Sequence, residues 1–474
     1  SSAASDVYKR LLMDYVTLLR EQAQKRGSAV SLIWQDRSYT YSELCEAVQH
    51  FVLPAWREQL PRDYKTAVLI RTTDLYHQLV AFLGIMAAGQ IPIIGHFDLP
   101  PLEEEKLVAK NKIGFVLAEE GGAWVLTKKT EEAAEETSFS AAGRIPAKAS
   151  CQNACMGVLS SGSADTPKVM YRTYESWGGF FPEQNRRFAI DSAATVLVEG
   201  SFSFTGNLSI WASCLFAGCT LVVSDALNGR EWLRMIETYQ VTTLYLIPVK
   251  LKLLNRLARN TYPQVKIILA GSQLLGAAAA KKLKKAFPAS EIILYYGASE
   301  LNYISWLTFE EVLRYPDSVG KAVPGVQIWS ENGLIYVNTP YHVEGLTQPC
   351  TLLDAGYFNE AGYLIFEGRK SQIINKGGFK VNCAKVENAL NEIKGVAEAV
   401  VLPYEDERKG QELAAFVVGE RNLTAGALRQ NLKSVLMPQE LPKKFFFLPM
   451  IPLNSCGKTD KNALLKQLKG PDTP

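Results

Sequence analysis

An α/β protein is predicted, with a large N-terminal body of parallel or mixed sheets layered with helices and a small α+β C-terminal cap. Two stretches of sequence carry that prediction. Between residues 241 and 297, apolar runs of strand length alternate with segments of helix length, the pattern of parallel strands joined by crossover helices. After Arg369 the alternation restarts as a second, shorter unit. The 474 residues are enough for two or three cores at ordinary domain sizes.

Taken in order, KTAVLIRT reads as a strand. QLVAFLGIMAAGQIPIIG, residues 78–95, approaches the roughly 20 residues that a bilayer span needs. Gln90 and Pro92 interrupt it, so a buried helix ending near Gly89 and a second strand are expected, and no membrane span. VTTLYLIP (241–248) reads as a buried strand, KLKLLNRLARN as a helix, VKIILAG (265–271) as a strand, LLGAAAAKKLKKAFP as a helix and EIILYYG (291–297) as a strand. Ligands of such sheets bind beyond the carboxyl ends of the strands, here the turns AGSQ (270–273) and YYGASE (295–300). Past Arg369, KVENALNEI and ALRQNLKSVL read as helices and AEAVVLP and ELAAFVVG as strands. The expected division is therefore a body of residues 1–370 and a cap of residues 371–474.

Charge and cysteine content narrow the class. Lys and Arg number 51 against 48 Asp and Glu, a net charge of +3, and no block of like charge suggests a nucleic-acid tail. Small-molecule partners are expected. The eight cysteines (Cys45, Cys151, Cys155, Cys214, Cys219, Cys350, Cys383 and Cys456) form no CxxC pair, and there are only four histidines. Reduced thiols in a cytoplasmic protein fit that pattern better than a zinc site. The stretch SSAASDVYKRLLMDY interleaves charge with apolar residues, so no secretory signal is expected.

Several familiar motifs fail. Gly457-Lys458-Thr459 lacks the earlier glycine of a Walker loop, where Pro452 stands. Gly297-Ala298-Ser299 is followed by Glu300 and Leu301, so no nucleophile elbow closes. HExxH and a GxGxxG after a strand are both missing from the sequence.

Four segments remain, in a fixed order: LSSGSADTPKVMYR (159–172), YYGASE (295–300), LLDAGYFNEAGYLIFEGRKSQIINKGGFKVNCAKVE (352–387) and IPLNSCGKTDKNAL (451–464). The first sets hydroxyls and a glycine directly ahead of Pro167 and Lys168, a composition that wraps phosphate. Its plainer reading is a solvated Ser/Gly linker. Together the four resemble the adenylate-forming superfamily of acyl-CoA synthetases, stand-alone adenylation domains and luciferases, and look most like bacterial fatty-acyl-CoA ligase homologues. The resemblance runs from SYTYSEL (38–44) almost to the C-terminus.

That resemblance implies ATP-dependent activation of a carboxylic acid to an acyl-adenylate, with Mg²⁺, and transfer to the thiol of CoA. It assigns Ser160, Ser161, Gly162, Ser163 and Lys168 to the phosphates, with Ala164-Asp165 standing where the family has a hydroxyl residue and a glycine. Gly271, Ser272, Tyr296, Gly297, Ala298 and Ser299 surround the nucleotide, Tyr296 stacking on adenine. Glu300 holds Mg²⁺, Asp354 the ribose hydroxyls, and Arg369 the ribose and phosphate region. Lys458 is the catalytic lysine, carried by a mobile cap. Ser371 occupies the hinge, commonly Asp or Lys in the family, and Gly377 and Gly378 of NKGGFK let a pantetheine arm pass.

GSFSFTGNLSIW (200–211) matches the acyl-pocket segment. Thr205 follows Phe204 where amino-acid-activating relatives carry Asp, which disfavours an α-amino acid. Phe202, Phe204 and Thr205, with Trp211 and Tyr303, then line an apolar tunnel for a fatty or aryl acid, while the four aromatics read equally well as core residues. Two alternatives accompany this reading: loading of an acyl carrier protein in place of CoA, and a degenerate, non-catalytic homologue.

Overall fold

Among the described residues the strands form four sheets, of thirteen, six, three and two strands. The computed structural model describes residues 14–51, 59–61, 64–97, 99–129, 153–160, 167–271, 275–369, 373–376, 379–406, 410–453 and 459–468.

Four neighbouring strands of the six-stranded sheet are β1 (Ala67–Arg71), β2 (Ile91–Ile94), β3 (Met156–Leu159) and β4 (Val169–Arg172). The first three run parallel and β4 returns antiparallel on β3. Helix α1 (Leu75–Ala87) crosses from β1 to β2, buried from Gln78 to Met86 without a break. A helix enclosed all round needs no polar face, which explains its membrane-like hydropathy. Asp74 caps it by accepting from the His77 amide at 2.8 Å. The chain then turns at Gly89, where φ is 78°, a conformation that costs glycine nothing. Among the described residues no helix is long and apolar enough to cross a membrane.

The thirteen-stranded sheet carries the predicted alternation. Strands β5 (Thr195–Glu199), β6 (Thr243–Tyr245), β7 (Ile267–Ala270) and β8 (Glu291–Ala298) are parallel neighbours in that order. Helix α2 (Thr205–Ala217) follows β5, α3 (Pro248–Leu257) follows β6, and α4 (Ala277–Ala286) follows β7. β6 is shorter than the apolar run suggested because Pro248 opens α3, a position that suits its fixed φ. β8 is longer, since β9 (Asn302–Thr308) pairs antiparallel with it through Ala298, across a bulge at Tyr296/Gly297. The expected turn at YYGASE therefore shrinks to residues 299–301. Beyond β9 and an intervening strand (Ser318–Ala322) lie β11 (Leu364–Arg369) and then β10 (Asp354–Phe358). Alternate residues of the parallel strands serve different cores: Val196, Val198, Leu269 and Ile293 face one, and Leu197, Leu244, Ile268 and Ile292 the other.

The C-terminal unit has cores of its own. Strand β12 (Val396–Asp406) pairs antiparallel with β13 (Gly410–Gly419), and β14 (Lys444–Phe447) joins β13 in parallel. Helices α5 (Cys383–Asn391) and α6 (Ala425–Leu432) bury Val386, Leu390 and Leu428 against Ala399, Val401 and Leu413. On the opposite face, Leu464 of α7 (Lys461–Leu468) packs with Val400, Leu402 and Phe416. Separate cores are what a separate domain requires. The expected boundary at 370/371 lies outside the described residues.

Candidate functional site

Three residues assigned to the nucleoside come together at the end of β8. The Tyr296 hydroxyl donates to Asp354 Oδ2 at 2.6 Å, and its ring lies 5.6 Å from that of Phe366. Asp354 opens β10, is 3% exposed, and stands opposite Arg369 in the β10/β11 register. A buried carboxylate fixed by a phenol is a directed acceptor. The Arg369 side chain lies outside the described residues, while its backbone is paired.

The turn that bears Glu300 is braced from two sides. Ser299 Oγ donates to Thr205 Oγ1 at 3.2 Å, tying the turn to the start of α2. Beneath it sits Arg172, the last residue of β4 and fully buried. Its Nη2 donates to the Ser299 carbonyl at 2.7 Å, and its Nη1 to the Tyr341 carbonyl at 3.2 Å and the Ser176 hydroxyl at 3.1 Å. The guanidinium also lies 5.3 Å from the Trp177 ring centroid. Burial pulls its pKa down to about 10, a fall partly offset by Tyr15 and Glu300, so it stays charged at neutral pH. Arg172 thus links the strand after the phosphate loop to the candidate magnesium turn. Sequence reasoning passed it over, although it shares an inward face with Met170, where a charged residue is unusual.

The candidate phosphate segment is paired at its two ends. The Ser160 amide donates to the Lys168 carbonyl at 2.9 Å, and the Lys168 amide to Ser160 Oγ at 2.9 Å. Lys168 is exposed. Ser161, Gly162, Ser163, Ala164 and Asp165 lie outside the described residues, as do Ser272, Ser371, Gly377, Gly378 and Lys458. The flanks of two of these segments are nonetheless paired. Leu453 bridges Thr459 on either side of Lys458, and Lys376 pairs with Phe379 around the two glycines.

For three of the aromatic residues the structure takes the core reading over the tunnel one. Phe202 is fully buried and packs on Trp211, ring centroids 6.4 Å apart, and Trp211 in turn meets Phe82 at 5.9 Å. Tyr303 is 4% exposed and lies 5.5 Å from Phe188. All three are core aromatics. The cause is Gln78 of α1, whose Oε1 accepts from Ser201 Oγ and from the Phe202 amide, each at 3.1 Å, turning the loop so that Phe202 enters the core. Asn207 closes the same loop by donating to the carbonyls of Glu199, Gly200 and Ser201 at 3.0, 3.1 and 3.1 Å. Phe204 and Thr205 remain half-buried at the start of α2. His96 Nδ1 lies 2.9 Å from Ser203 Oγ, with its ring 5.6 Å from Phe204. Neither Gln78 nor His96 carries a sequence signal of its own.

Among the described residues no group of three or more His, Cys, Asp or Glu could hold a metal ion. Magnesium arriving with a nucleotide needs only one or two carboxylates, and Glu300, the residue assigned to it by resemblance, is half-buried.

The AMP-binding enzyme family matches residues 19–337, and the AMP-binding enzyme C-terminal domain matches residues 385–458. The uncharacterized acyl-CoA ligase YhfT of Bacillus subtilis (strain 168) is 29% identical over 331 residues, 66% of this chain and 68% of that protein. Tyrocidine synthase 3 of Brevibacillus parabrevis is 20% identical over 95% of this chain, which spans only 8% of that longer protein. In fold, the chain is similar to o-succinylbenzoate CoA synthetase from Bacillus subtilis in complex with its acyl-adenylate intermediate, with a TM-score of 0.77 at 21% identity over 96% of this chain and 98% of that one. With residues 19–337 matching the family's main model and residues 385–458 its C-terminal one, the chain belongs to the AMP-binding enzyme family, the adenylate-forming superfamily that its motifs resemble.

Proposed function

We propose that the protein is an AMP-forming acid–thiol ligase, which joins an aryl or fatty acid to ATP as an acyl-adenylate and passes the acyl group to the thiol of CoA. The observation that carries this reading is the junction at Ser299–Glu300, where Arg172 from the phosphate-loop strand, Thr205 from the acyl segment and the Tyr296–Asp354 pair converge.

In the first step a carboxylate oxygen attacks the α-phosphorus and the bond to pyrophosphate breaks. Two anions must meet and the leaving charge must be dispersed, so positioned donors and cations do most of the catalysis. Tyr296 stacks on adenine while Asp354 accepts from the ribose hydroxyls, with Gly271, Ser272, Gly297 and Ala298 shaping the nucleotide's surroundings and Arg369 beside it. Ser160 to Ser163 and Lys168 hold the β- and γ-phosphates, and Lys458 donates to the α-phosphate and the substrate carboxylate. Glu300 would hold Mg²⁺, which supplies charge neutralisation when bound. Thr205 offers an ammonium no charge, and its hydroxyl is engaged by Ser299, which favours acids without an α-amino group.

In the second step the thiol attacks the acyl carbon and AMP departs. The cap turns about Ser371 to bring Gly377 and Gly378 beside the pantetheine arm. A cytoplasmic setting, where ATP and reduced CoA are at hand, suits this chemistry. The test is mass spectrometry of a reaction containing ATP, Mg²⁺, an acid and free CoA. Acyl-CoA and AMP are expected; acylation of a carrier protein alone would refute the choice of CoA.

A further inference from the structure

The two faces of β8 meet different surroundings. Tyr296 turns to Asp354, whereas Tyr295, one residue earlier and so on the opposite face, turns to the acyl segment. Its hydroxyl is 2.8 Å from that of Tyr245, the last residue of β6. The two rings are nearly parallel, 21° apart with centroids at 6.4 Å, and Tyr303 meets Tyr295 edge-on at 4.7 Å. Two glycines admit the phenols: a Cβ on Gly206 would overlap the Tyr245 hydroxyl, and one on Gly271 the Tyr295 ring. Gly206 directly follows Thr205, and Gly271 directly follows β7. The pair therefore fills the space between the start of α2 and the carboxyl ends of β6 and β7. A buried Lys250–Glu199 ion pair joins α3 to the end of β5, so the neighbouring strand ends are held in place.

Among the described residues the hydroxyls have a proton to spare. Two phenols carry two protons and their mutual bond uses one. Among the described residues neither has a second partner. Burial raises both pKa values, so both remain donors at neutral pH. A buried donor without an acceptor is costly, and a ligand atom that accepts from it recovers that cost.

Resting on the acid-activating function above, we propose that Tyr245 and Tyr295 form the floor of the acyl pocket and determine its specificity. They select a compact acid, a short chain or a single ring, over a long one. They also donate one hydrogen bond to an acceptor atom at the end of the acid remote from its carboxylate.

ATP–pyrophosphate exchange by the full-length protein tests both parts. The acids are a straight-chain series of increasing length, together with pentanoate against 4-oxopentanoate and benzoate against 4-acetylbenzoate. The wild type should favour the ketone of at least one pair by about tenfold in kcat/KM. The double variant Tyr245→Phe/Tyr295→Phe keeps the rings, and should lose that preference with its chain-length optimum unchanged. Tyr245→Ala should move the optimum to longer acids, with about a tenfold gain for an acid one methylene beyond the wild-type limit. If Tyr245→Ala does not fold, Tyr245→Val, which suits a strand end, carries the length arm. A ketone preference that survives the double variant, or a length optimum that does not move in the alanine or valine variant, overturns the assignment of the floor. Exchange with no acid in the folded wild type overturns the acid-activating function itself, and this proposal with it.

Discussion

Lys458→Ala is expected to lower acyl-adenylate formation by on the order of 10² to 10³, while thioester formation from supplied acyl-adenylate stays nearly intact. Losing one donor aimed at a developing charge costs about 3 to 4 kcal/mol of transition-state stabilisation. In the proposed mechanism the lysine serves only the phosphoryl step; in the second step the nucleophile is the incoming thiol, and the cap has turned. The pairing of Leu453 with Thr459 and the burial of Leu464 anchor both flanks of its segment to the C-terminal unit. Gly378→Leu is expected to do the reverse, obstructing the pantetheine arm while sparing pyrophosphate exchange. Measuring both half-reactions on both variants checks the division of labour. If each substitution slows the two steps equally, Lys458 and the glycine pair do not have separate roles.

Arg172→Met should cost at least about 1 to 3 kcal/mol of stability and raise the Mg²⁺ concentration needed for half-maximal exchange. The side chain satisfies four acceptors from three separate parts of the chain, the Ser299 carbonyl, the Tyr341 carbonyl, and the Ser176 carbonyl and hydroxyl. Methionine fills similar volume and bonds to none of them, and each buried acceptor left unmet costs about 1 to 3 kcal/mol. The turn bearing Glu300 then loses its brace. Arg172→Lys keeps the charge without the planar fork, so an intermediate loss is expected. Thermal melts and Mg²⁺ titrations of the three proteins provide the check. A methionine variant that melts and titrates like the wild type would show that the buried guanidinium does not support the turn.

The layered body was legible in the sequence because parallel strands covered on both faces read as unbroken apolar runs. Strands β6, β7 and β8 and the helices between them lie where those runs fall. What escaped was decided at a distance. The extension of β8 depends on its pairing with β9, and nothing within YYGASE encodes the partner. Arg172 is buried because its acceptors lie 127 and 169 residues further along the chain. Phe202 turns inward because Gln78, 124 residues earlier, holds its amide, whereas the aromatic motif alone fits a tunnel wall equally well. The Tyr245–Tyr295 bond joins the ends of strands 50 residues apart, each of which looked like an ordinary buried aromatic. The turns AGSQ and YYGASE drew notice from the sequence because they lie at strand ends, where the sheet topology places ligands.

The most direct test of an acid-activating function is ATP–pyrophosphate exchange by the folded protein, with Mg²⁺, across a panel of aryl and fatty acids. Label should return to ATP only when both an acid and Mg²⁺ are present, and Lys458→Ala should slow it by on the order of 10² to 10³. A folded wild-type protein that exchanges with no acid in the panel would contradict the proposed ligase activity and favour a homologue that no longer activates acids.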